Sequence, residues 1–319
     1  MMIEYSKKPA VFIVGPTGVG KTHFGFQLAN RLGGEIISAD SRQMYRYINI
    51  GTDKPPQAMR EEIPHYFIDI LEPDEYYSAG LFGKDVREKI QEIQSRGKIP
   101  FIVGGSGLYI RAIIEGFFAE TIKDYAVKKK LQEKAKNEGN EDLYKELQKI
   151  DSAFAARITL NDTQRIVRGL EVYMVTGVPL TEHWKNKGNS ITFTPLIIGL
   201  RMNRLELYET INKRVDKMLE QGLIEEVKLL KQKGFSPELN SLQTYGYKET
   251  FQYLEGELTI DELKEKIKKR TRNFAKRQIT WFKKMKDIIW MDIEKDKDKT
   301  LPILLLLIEK YLYTGADKS

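Results

Sequence analysis

The stretch GPTGVGKT, at residues 15–22, is the part of the sequence with the clearest chemistry. It fits the pattern G-x-x-x-x-G-K-[ST], in which a glycine-rich backbone curls around phosphates and the following helix adds partial positive charge. Lys21 supplies a full positive charge, and the Thr22 hydroxyl is suited to ligate Mg²⁺ or a phosphate oxygen. The stretch predicts a site for a magnesium pyrophosphate. ATP is the first candidate ligand, but the loop alone does not select it.

The next apolar run along the chain, Glu35–Ala39, predicts a strand, and it is followed directly by the carboxylate of Asp40. Ligands of an open parallel sheet bind beyond the carboxyl ends of its strands, so we expect Asp40 in the crevice of the phosphate loop. Two roles remain open for it, a general base and a structural hydrogen bond at a turn. Asp69 and Asp292 also follow apolar runs and are candidates for holding a metal.

Two basic segments predict an anionic partner. Residues 264–286 contain eleven Lys and Arg residues against one acid, with aromatic residues interleaved. Basic groups suit phosphate contacts and rings suit base stacking, so this composition favours nucleic acid. The alternative is a solvated amphipathic helix whose apolar stripe packs on the core. The second segment, QRIVR at 164–168, places Arg165 and Arg168 one helical turn apart.

The elements that must position these residues alternate between strand and helix. Apolar runs predict strands at Ala10–Val14, Glu35–Ala39, Tyr66–Ile70, Ile99–Val103 and Pro195–Leu200. Only helical patterns occur from Asp124 to Gly177. Such alternation predicts an α/β fold with a parallel sheet flanked by helices. We therefore expect a core of residues 1–116 and 194–319, interrupted by an all-α insertion at 117–193.

The C-terminal part predicts two long helices, Arg204–Lys233 and Thr259–Lys286, then a short strand at Ile288–Met291 and a charged loop at Glu294–Thr300. Arg214 lies beside the apolar stripe of the first of these helices. A flanking arginine is usually a surface residue, and spacing does not decide whether it faces the phosphate crevice.

Composition narrows the class of protein. The chain has 319 residues, 41% of them hydrophobic, which suffices for a core and for two domains. Its net charge of +7 favours an anionic partner. The absence of cysteine excludes disulfides, thiolate nucleophiles and cysteine zinc sites, and the three histidines are too scattered to predict a metal site. Apolar runs are too short to span a bilayer, so we expect a cytoplasmic protein, with no membrane partner, and a monomer.

Taken together, these stretches resemble the tRNA dimethylallyltransferase family, also called tRNA isopentenyltransferases. The matching motifs follow the family's order across nearly the whole chain: GPTGVGKT (15–22), DSRQMY (40–45), IGTDKP (50–55), PHYFID (64–69), YSAGLF (77–82), VGGSGLY (103–109), NDTQRIVRGLEVY (161–173), RVDKML (214–219), GYKE (246–249) and KRQITWF (276–282). The resemblance implies a core related to P-loop kinases, with a helical insertion that grips tRNA. It also implies transfer of a dimethylallyl group from dimethylallyl pyrophosphate to N6 of adenosine 37, in the anticodon stem-loop, with release of pyrophosphate.

The resemblance further implies roles for individual residues. The donor's pyrophosphate, with Mg²⁺ as cofactor, would bind to Gly15, Pro16, Thr17, Gly18, Val19, Gly20, Lys21 and Thr22, and Thr22 would be the metal ligand. Asp40 matches the family's general base, and Arg214 matches its pyrophosphate-binding arginine. The stretches that contact tRNA match Asp40, Ser41, Arg42, Gln43, Ser106, Gln164, Arg165, Arg168, Gln243, Gly246, Lys248, Lys276, Arg277, Gln278, Trp281 and Lys283.

The sequence departs from the family in places. Residue 53 is Asp where the family commonly has Ala, and Gly169 replaces the usual Ala within a helix. The zinc finger of eukaryotic members is absent, which implies a bacterial-type enzyme.

Three alternatives remain. An adenylate isopentenyltransferase would act on free nucleotides, but it would not need the long basic segments. A P-loop ATPase or small-molecule kinase would bind ATP in the phosphate loop. A non-catalytic tRNA-binding protein would use the basic segments alone.

Overall fold

The computed structural model describes residues 8–117, 122, 124–185, 191–293 and 297–314. Its strands are β1 (Lys8–Val14), β2 (Gly34–Ser38), β3 (His65–Tyr66), β4 (Ile99–Gly104), β5 (Phe193–Arg201) and β6 (Ile288–Asp292). Its helices are α1 (Lys21–Arg31), α2 (Gln57–Glu62), α3 (Ala79–Ser95), α4 (Gly107–Glu115), α5 (Tyr125–Glu138), α6 (Glu141–Ile150), α7 (Ser152–Ala155), α8 (Thr163–Thr176), α9 (Leu180–Lys185), α10 (Arg204–Glu220), α11 (Leu223–Gln232), α12 (Tyr247–Leu254), α13 (Ile260–Phe282) and α14 (Lys297–Thr314).

The six strands form one parallel sheet in the order β3-β2-β4-β1-β5-β6, which confirms the predicted fold class. Strand β1 lies between β4 and β5, with Ile13 opposite both Val103 and Ile198. Its residues from Ala10 to Val14 are fully buried, as expected for a strand covered on both faces. From β1 the chain passes to β2 on one side of β1, and from β4 it passes to β5 on the other side. A crevice is therefore expected beyond the end of β1, where the strand order reverses.

Three predicted elements differ from the structure. The predicted strand Tyr66–Ile70 is reduced to His65–Tyr66, because Phe67 and Asp69 adopt positive φ. The predicted long helix Arg204–Lys233 is two helices, since Gly222, with φ of 96°, begins α11 in a left-handed conformation. The predicted loop Glu294–Thr300 is helical from Lys297, and its residues 294–296 lie outside the described part.

The described residues form two compact units. The sheet unit lies within residues 1–76, 86–111 and 191–319, and the helical unit lies within 77–85 and 112–190. The described secondary structure of the helical unit is entirely α-helical. Its core contains Leu143, Leu147, Phe154 and Leu170, among others. None of the described helices is both long enough and apolar enough to cross a membrane.

Gly169 lies at a tight contact inside the helical unit. A Cβ atom at this position would be 2.7 Å from Leu147 Cδ1 and 2.9 Å from Phe154 Cε1. Glycine in a helix costs about 1 kcal/mol relative to alanine. The close approach of α6 and α7 to α8 gives a physical reason for this departure from the family pattern.

Acids from neighbouring helices pair with three of the basic residues in the first half of the basic helix α13. Lys264 and Lys268 both pair with Asp216 of α10, at 3.0 and 2.9 Å. Arg270 pairs at 2.8 Å with Glu249 of α12, which is fully buried. Part of the positive charge in this half is therefore balanced within the protein, without a bound polyanion. In the second half Lys276 and Arg277 are exposed, and so are Lys283, Lys284 and Lys286 directly after the helix.

Candidate active site

The phosphate loop connects β1 to α1 at the end of the central strand. Gly15, Gly18 and Gly20 all have positive φ, which side chains other than glycine adopt poorly. A Cβ at Gly15 would also lie only 2.5 Å from the carbonyl oxygen of Leu200. The Lys21 ammonium donates a hydrogen bond to the carbonyl of Pro16 at 2.7 Å, so the lysine folds back over its own loop.

A cavity of about 240 Å³ in the sheet unit brings many of the predicted residues together. It opens beyond the carboxyl ends of β1, β2 and β4, where ligands of such sheets bind. The predicted site residues that line it are Thr17, Lys21, Thr22, Asp40, Ser41, Arg42, Gln43, Ser106, Arg214, Gln243 and Gln278.

Asp40 begins a tight turn directly after β2. Its Oδ1 accepts the backbone N–H of Arg42 at 2.8 Å, and the N–H of Ser41 donates to Ser106 Oγ at 3.0 Å. The Arg42 side chain donates to the carbonyl of Asn240. Asp40 therefore makes the structural hydrogen bond considered from sequence and also lines the cavity. The two roles left open for this residue are compatible.

Arg214 reaches the phosphate loop from α10. Its Nη1 donates to Thr17 Oγ1 at 2.8 Å and lies 3.4 Å from a carboxylate oxygen of Asp53. Its Nε is buried without a hydrogen-bond partner among the described residues. A buried guanidinium donor without a partner is costly, and it suits an anionic ligand. Helical spacing left open whether Arg214 faces the phosphate crevice, and the structure places it in the cavity lining.

One wall of the cavity is apolar. It is formed by Val215 and Met218 of α10 and by Ile267 and Phe274 of α13. Sequence reasoning assigned none of these four residues to the site. The signal for α13 was present, because residues 267, 271, 274 and 278 all line the cavity and their spacing places them on one helical face.

An aromatic pair with an arginine lies at the edge of this wall. The rings of Tyr245 and Phe274, which both line the cavity, have centroids 5.2 Å apart. The Arg277 guanidinium lies 5.7 Å from the Tyr245 ring and 5.8 Å from the Phe274 ring, and it donates to the Tyr245 hydroxyl. Such rings offer stacking surfaces for a base.

The remaining predicted residues of the sheet unit lie outside the cavity lining. Gly246 is the N-cap of α12, and Lys248 donates to Gln243 Oε1 at 3.0 Å. Trp281 packs against Gly107, where a Cβ would lie 2.2 Å from the indole. Lys276, Arg277 and Lys283 are exposed on the second half of α13 or directly after it.

The other three residues predicted to contact tRNA, Gln164, Arg165 and Arg168, lie in the helical unit and differ in their surroundings. Gln164 and Arg165 are exposed on α8, and Arg165 pairs with Asp162 at 3.4 Å. Arg168 instead donates to the carbonyl of Ile122 at 2.6 Å and to Glu171 at 2.9 Å. The Glu171 side chain is only 2% exposed, so Arg168 neutralises a buried charge within the unit.

The electrostatics of the cavity centre on Lys21. The pKa of Lys21 is lowered from 10.5 to about 8. Burial is the main cause and the positive charge of Arg214 also lowers the pKa, whereas Asp40 and Asp53 act in the opposite direction. Desolvation disfavours the charged ammonium, and a bound anion would favour it. This lysine therefore changes charge in a pH range that is accessible to assays.

The oxygen donors of the cavity fit a hard cation. Within the described residues no group of three or more His, Cys, Asp and Glu could hold a metal. Mg²⁺ is commonly bound through a few protein oxygens together with substrate phosphates. Thr22 and Asp40 both line the cavity, and their side chains carry such oxygens.

A parallel α/β sheet with a phosphate loop, an arginine and a carboxylate around one cavity defines an enzyme that handles a pyrophosphate-bearing substrate. The sequence matches the family described as IPP transferase over residues 43–285, and the isopentenyl transferase family over residues 9–73. The chain belongs to the IPP transferase family, as its motifs predicted.

Relatives agree with this assignment. The chain is 49% identical over 288 residues to the tRNA dimethylallyltransferase of Carboxydothermus hydrogenoformans, covering 90% of this chain and 92% of that protein. Among solved structures it is similar to the full-length tRNA isopentenylpyrophosphate transferase from Bacillus halodurans, with a TM-score of 0.71, 39% identity and 97% coverage of both chains. It is also similar to a eukaryotic dimethylallyltransferase acting on tRNA, with a TM-score of 0.81, 30% identity and coverage of 97% of this chain and 80% of that one.

Proposed function

We propose that this protein transfers a dimethylallyl group from dimethylallyl pyrophosphate to N6 of adenosine 37 in tRNA and releases pyrophosphate. The observation that carries the proposal is that the phosphate loop, Arg214, Asp40 and an apolar wall all line the same cavity. Names of relatives that include tRNA dimethylallyltransferase support the same reaction. We propose that the protein acts as a monomer, because its sheet unit brings the phosphate loop, Arg214 and Asp40 to one cavity.

The cavity supplies each requirement of the reaction. The lone pair of the adenine N6 amino group is delocalised into the ring, so N6 is a poor nucleophile. It must lose a proton as the new N–C bond forms, and the Asp40 carboxylate is suited to accept that proton. The allylic C–O bond of the donor breaks, and negative charge grows on the departing pyrophosphate. The loop amides, Lys21 and Arg214 stabilise this charge where it develops. The apolar wall of α10 and α13 excludes water from the allylic carbon.

We infer that Thr22, together with donor phosphate oxygens, holds Mg²⁺. When bound, the ion neutralises charge on the leaving pyrophosphate. The adenine must leave its stack to reach the cavity, which is easiest in a single-stranded loop such as the anticodon loop. Because its acceptor is tRNA, we place the reaction in the cytoplasm.

The direct test is incubation with unmodified tRNA, Mg²⁺ and dimethylallyl pyrophosphate, followed by mass analysis of the nucleosides. We expect a dimethylallyl adduct on one adenosine and equimolar pyrophosphate. The match to the isopentenyl transferase family over residues 9–73 makes AMP the necessary alternative acceptor. Faster transfer to AMP than to tRNA would favour the adenylate enzyme, and ATP turnover without a prenyl donor would favour an ATPase.

Donor binding is expected to weaken as the pH rises through about 8. The pKa of Lys21 in the free enzyme is about 8, so the lysine loses its proton in this range and with it the attraction to the pyrophosphate. Below that pH the ammonium form dominates and binding is expected to level off. Measurement of the affinity for Mg²⁺-pyrophosphate at several pH values, from about pH 7 to about pH 9, would show the change.

The control for this titration is Lys21→Arg, because arginine stays protonated over the whole range. The variant is expected to bind more weakly but without the decrease above pH 8. An unchanged decrease in the variant would assign the titration to another group.

We also propose that the helical insertion, residues 117–193, binds tRNA through α8, with Gln164 and Arg165 as contacts. Reversing the charge of Arg165 is expected to weaken tRNA binding and to reduce its salt dependence by about one phosphate contact. Binding titrations at several salt concentrations measure both quantities. Lys145→Glu, at an exposed position of α6, is the charge-matched control.

Arg168→Ala is expected to lower the stability of the fold. It would leave the buried carboxylate of Glu171 without its arginine, which costs about 3 kcal/mol or more. Urea unfolding would measure this loss for Arg168→Ala, whereas Arg165→Glu should unfold almost as the wild type does. A stable Arg168→Ala that loses only tRNA affinity would instead make Arg168 a direct contact.

A further inference from the structure

A buried glutamine joins two loops of the donor site. Gln278 of α13 is only 7% exposed. Its Oε1 accepts the backbone N–H of Thr17 at 2.8 Å, and its Nε2 donates to the carbonyl of Gly105 at 2.9 Å. Because one partner can only donate and the other can only accept, the orientation of the carboxamide is fixed by both. The phosphate loop and the glycine turn after β4 are thereby connected through one side chain.

Two glycines allow α13 to approach this closely. A Cβ at Gly105 would lie 2.3 Å from Gln278 Nε2, and a Cβ at Gly107 would lie 2.2 Å from the indole of Trp281. Both distances are shorter than any normal contact between heavy atoms, so a side chain at Gly105 would displace the Gln278 carboxamide and one at Gly107 would displace the Trp281 ring. The turn after β4 is therefore shaped to receive α13.

The bridge continues to the pyrophosphate-binding arginine. Thr17 is held at its backbone N–H by Gln278 and at its hydroxyl by Arg214, whose distance to Thr17 Oγ1 is 2.8 Å. Displacing the carboxamide would free the loop at Thr17 and remove the fixed partner of Arg214. Gln278 itself lies in the cavity lining next to these groups.

We propose that Gln278 is a positioning residue of the donor site, which fixes the phosphate loop at Thr17 for pyrophosphate binding. This differs from the tRNA contact that the family resemblance implies for residue 278. The inference rests on the proposed function, since it assumes that the loop binds the donor's pyrophosphate. The exposed residues Lys276 and Arg277, on the same helix, keep their assignment to tRNA.

The test compares two substitutions that break the bridge from opposite sides. Gln278→Leu keeps the approximate volume and removes both hydrogen bonds, and Gly105→Ala displaces the carboxamide without altering it. Calorimetry with Mg²⁺-pyrophosphate and binding assays with unmodified tRNA are the two readouts, supported by the KM values for donor and tRNA. We expect each variant to bind pyrophosphate on the order of tenfold more weakly, the equivalent of about one hydrogen bond. Affinity and KM for tRNA should remain as in the wild type.

Lys276→Ala is the matched control, because it lies on the same helix with an exposed side chain. It should weaken tRNA binding and leave pyrophosphate affinity unchanged. The opposite result at Gln278, with tRNA affinity reduced and pyrophosphate affinity intact, would overturn the inference. So would failure of both bridge variants to fold, since the bridge would then support the fold as a whole. A wild-type chain that binds no pyrophosphate would instead refute the proposed function itself.

Discussion

Replacing Asp40 with asparagine is expected to lower the rate of prenyl transfer roughly 10²–10⁴-fold, the usual contribution of a positioned acid or base. Asparagine retains an oxygen that can accept the Arg42 N–H, which Asp40 accepts at 2.8 Å, so the turn after β2 should persist. It cannot accept the N6 proton, however. Single-turnover transfer to tRNA would measure the loss, and tRNA affinity should change little.

Asp40→Ala separates the two roles of this residue. Alanine removes the turn hydrogen bond as well as the base, so it should add a loss of stability to the same loss of rate. If Asp40→Asn transferred the prenyl group at the wild-type rate, Asp40 would be a turn residue only. A large loss of tRNA affinity in Asp40→Asn would likewise move its main role from proton acceptance to binding.

Removing Arg214 is expected to reduce kcat/KM for the prenyl donor roughly 10²–10³-fold, as loss of one donor to a developing anion typically does. The guanidinium contacts Thr17 in the phosphate loop, and its buried Nε has no partner among the described residues. Arg214→Ala deletes both donors and the charge. Steady-state kinetics with the donor varied at saturating tRNA would measure the effect, and KM for tRNA should stay unchanged.

Two neighbouring substitutions sharpen this prediction. Arg214→Lys keeps the charge but loses the planar set of donors, so it should recover only part of the activity. Asp53→Asn removes the carboxylate that lies 3.4 Å from Arg214 Nη1 and would compete with the donor for it. The Asp53 side chain is 58% exposed, so we expect only a small decrease in donor KM, at most about fivefold. Unchanged donor kinetics in Arg214→Ala would exclude the assigned contact.

The local pattern of the sequence predicted most of the sheet. A short apolar run such as Ala10–Val14, rich in β-branched residues and bounded by glycine, favours a buried strand, and the glycines of residues 15–20 permit the curled backbone that follows. Elements that depend on one special backbone angle were missed. The break at Gly222 and the positive φ of Phe67 and Asp69 leave little trace in hydrophobic periodicity.

The site was predictable where one motif holds its residues together, and less so where distant segments meet. Lys21 and Asp40 follow strands that end in the same crevice, so their meeting was expected. The contact between Thr17 and Gln278 joins residues that are 261 positions apart, and no local pattern encodes it. The pairing of Arg168 with Glu171 is different, since the two residues are three apart on one helix and the acid could have been noticed.

The division of charges along α13 also bears on how this protein can change over time. In its first half, Arg270 pairs with the buried Glu249, so a substitution of this arginine would leave a buried acid without its ion-pair partner and weaken the fold. Lys276, Arg277 and the lysines that follow are exposed. Drift in RNA affinity is therefore expected to accumulate at the far end of the helix, where mutations carry little structural penalty, and engineering of acceptor preference should begin there.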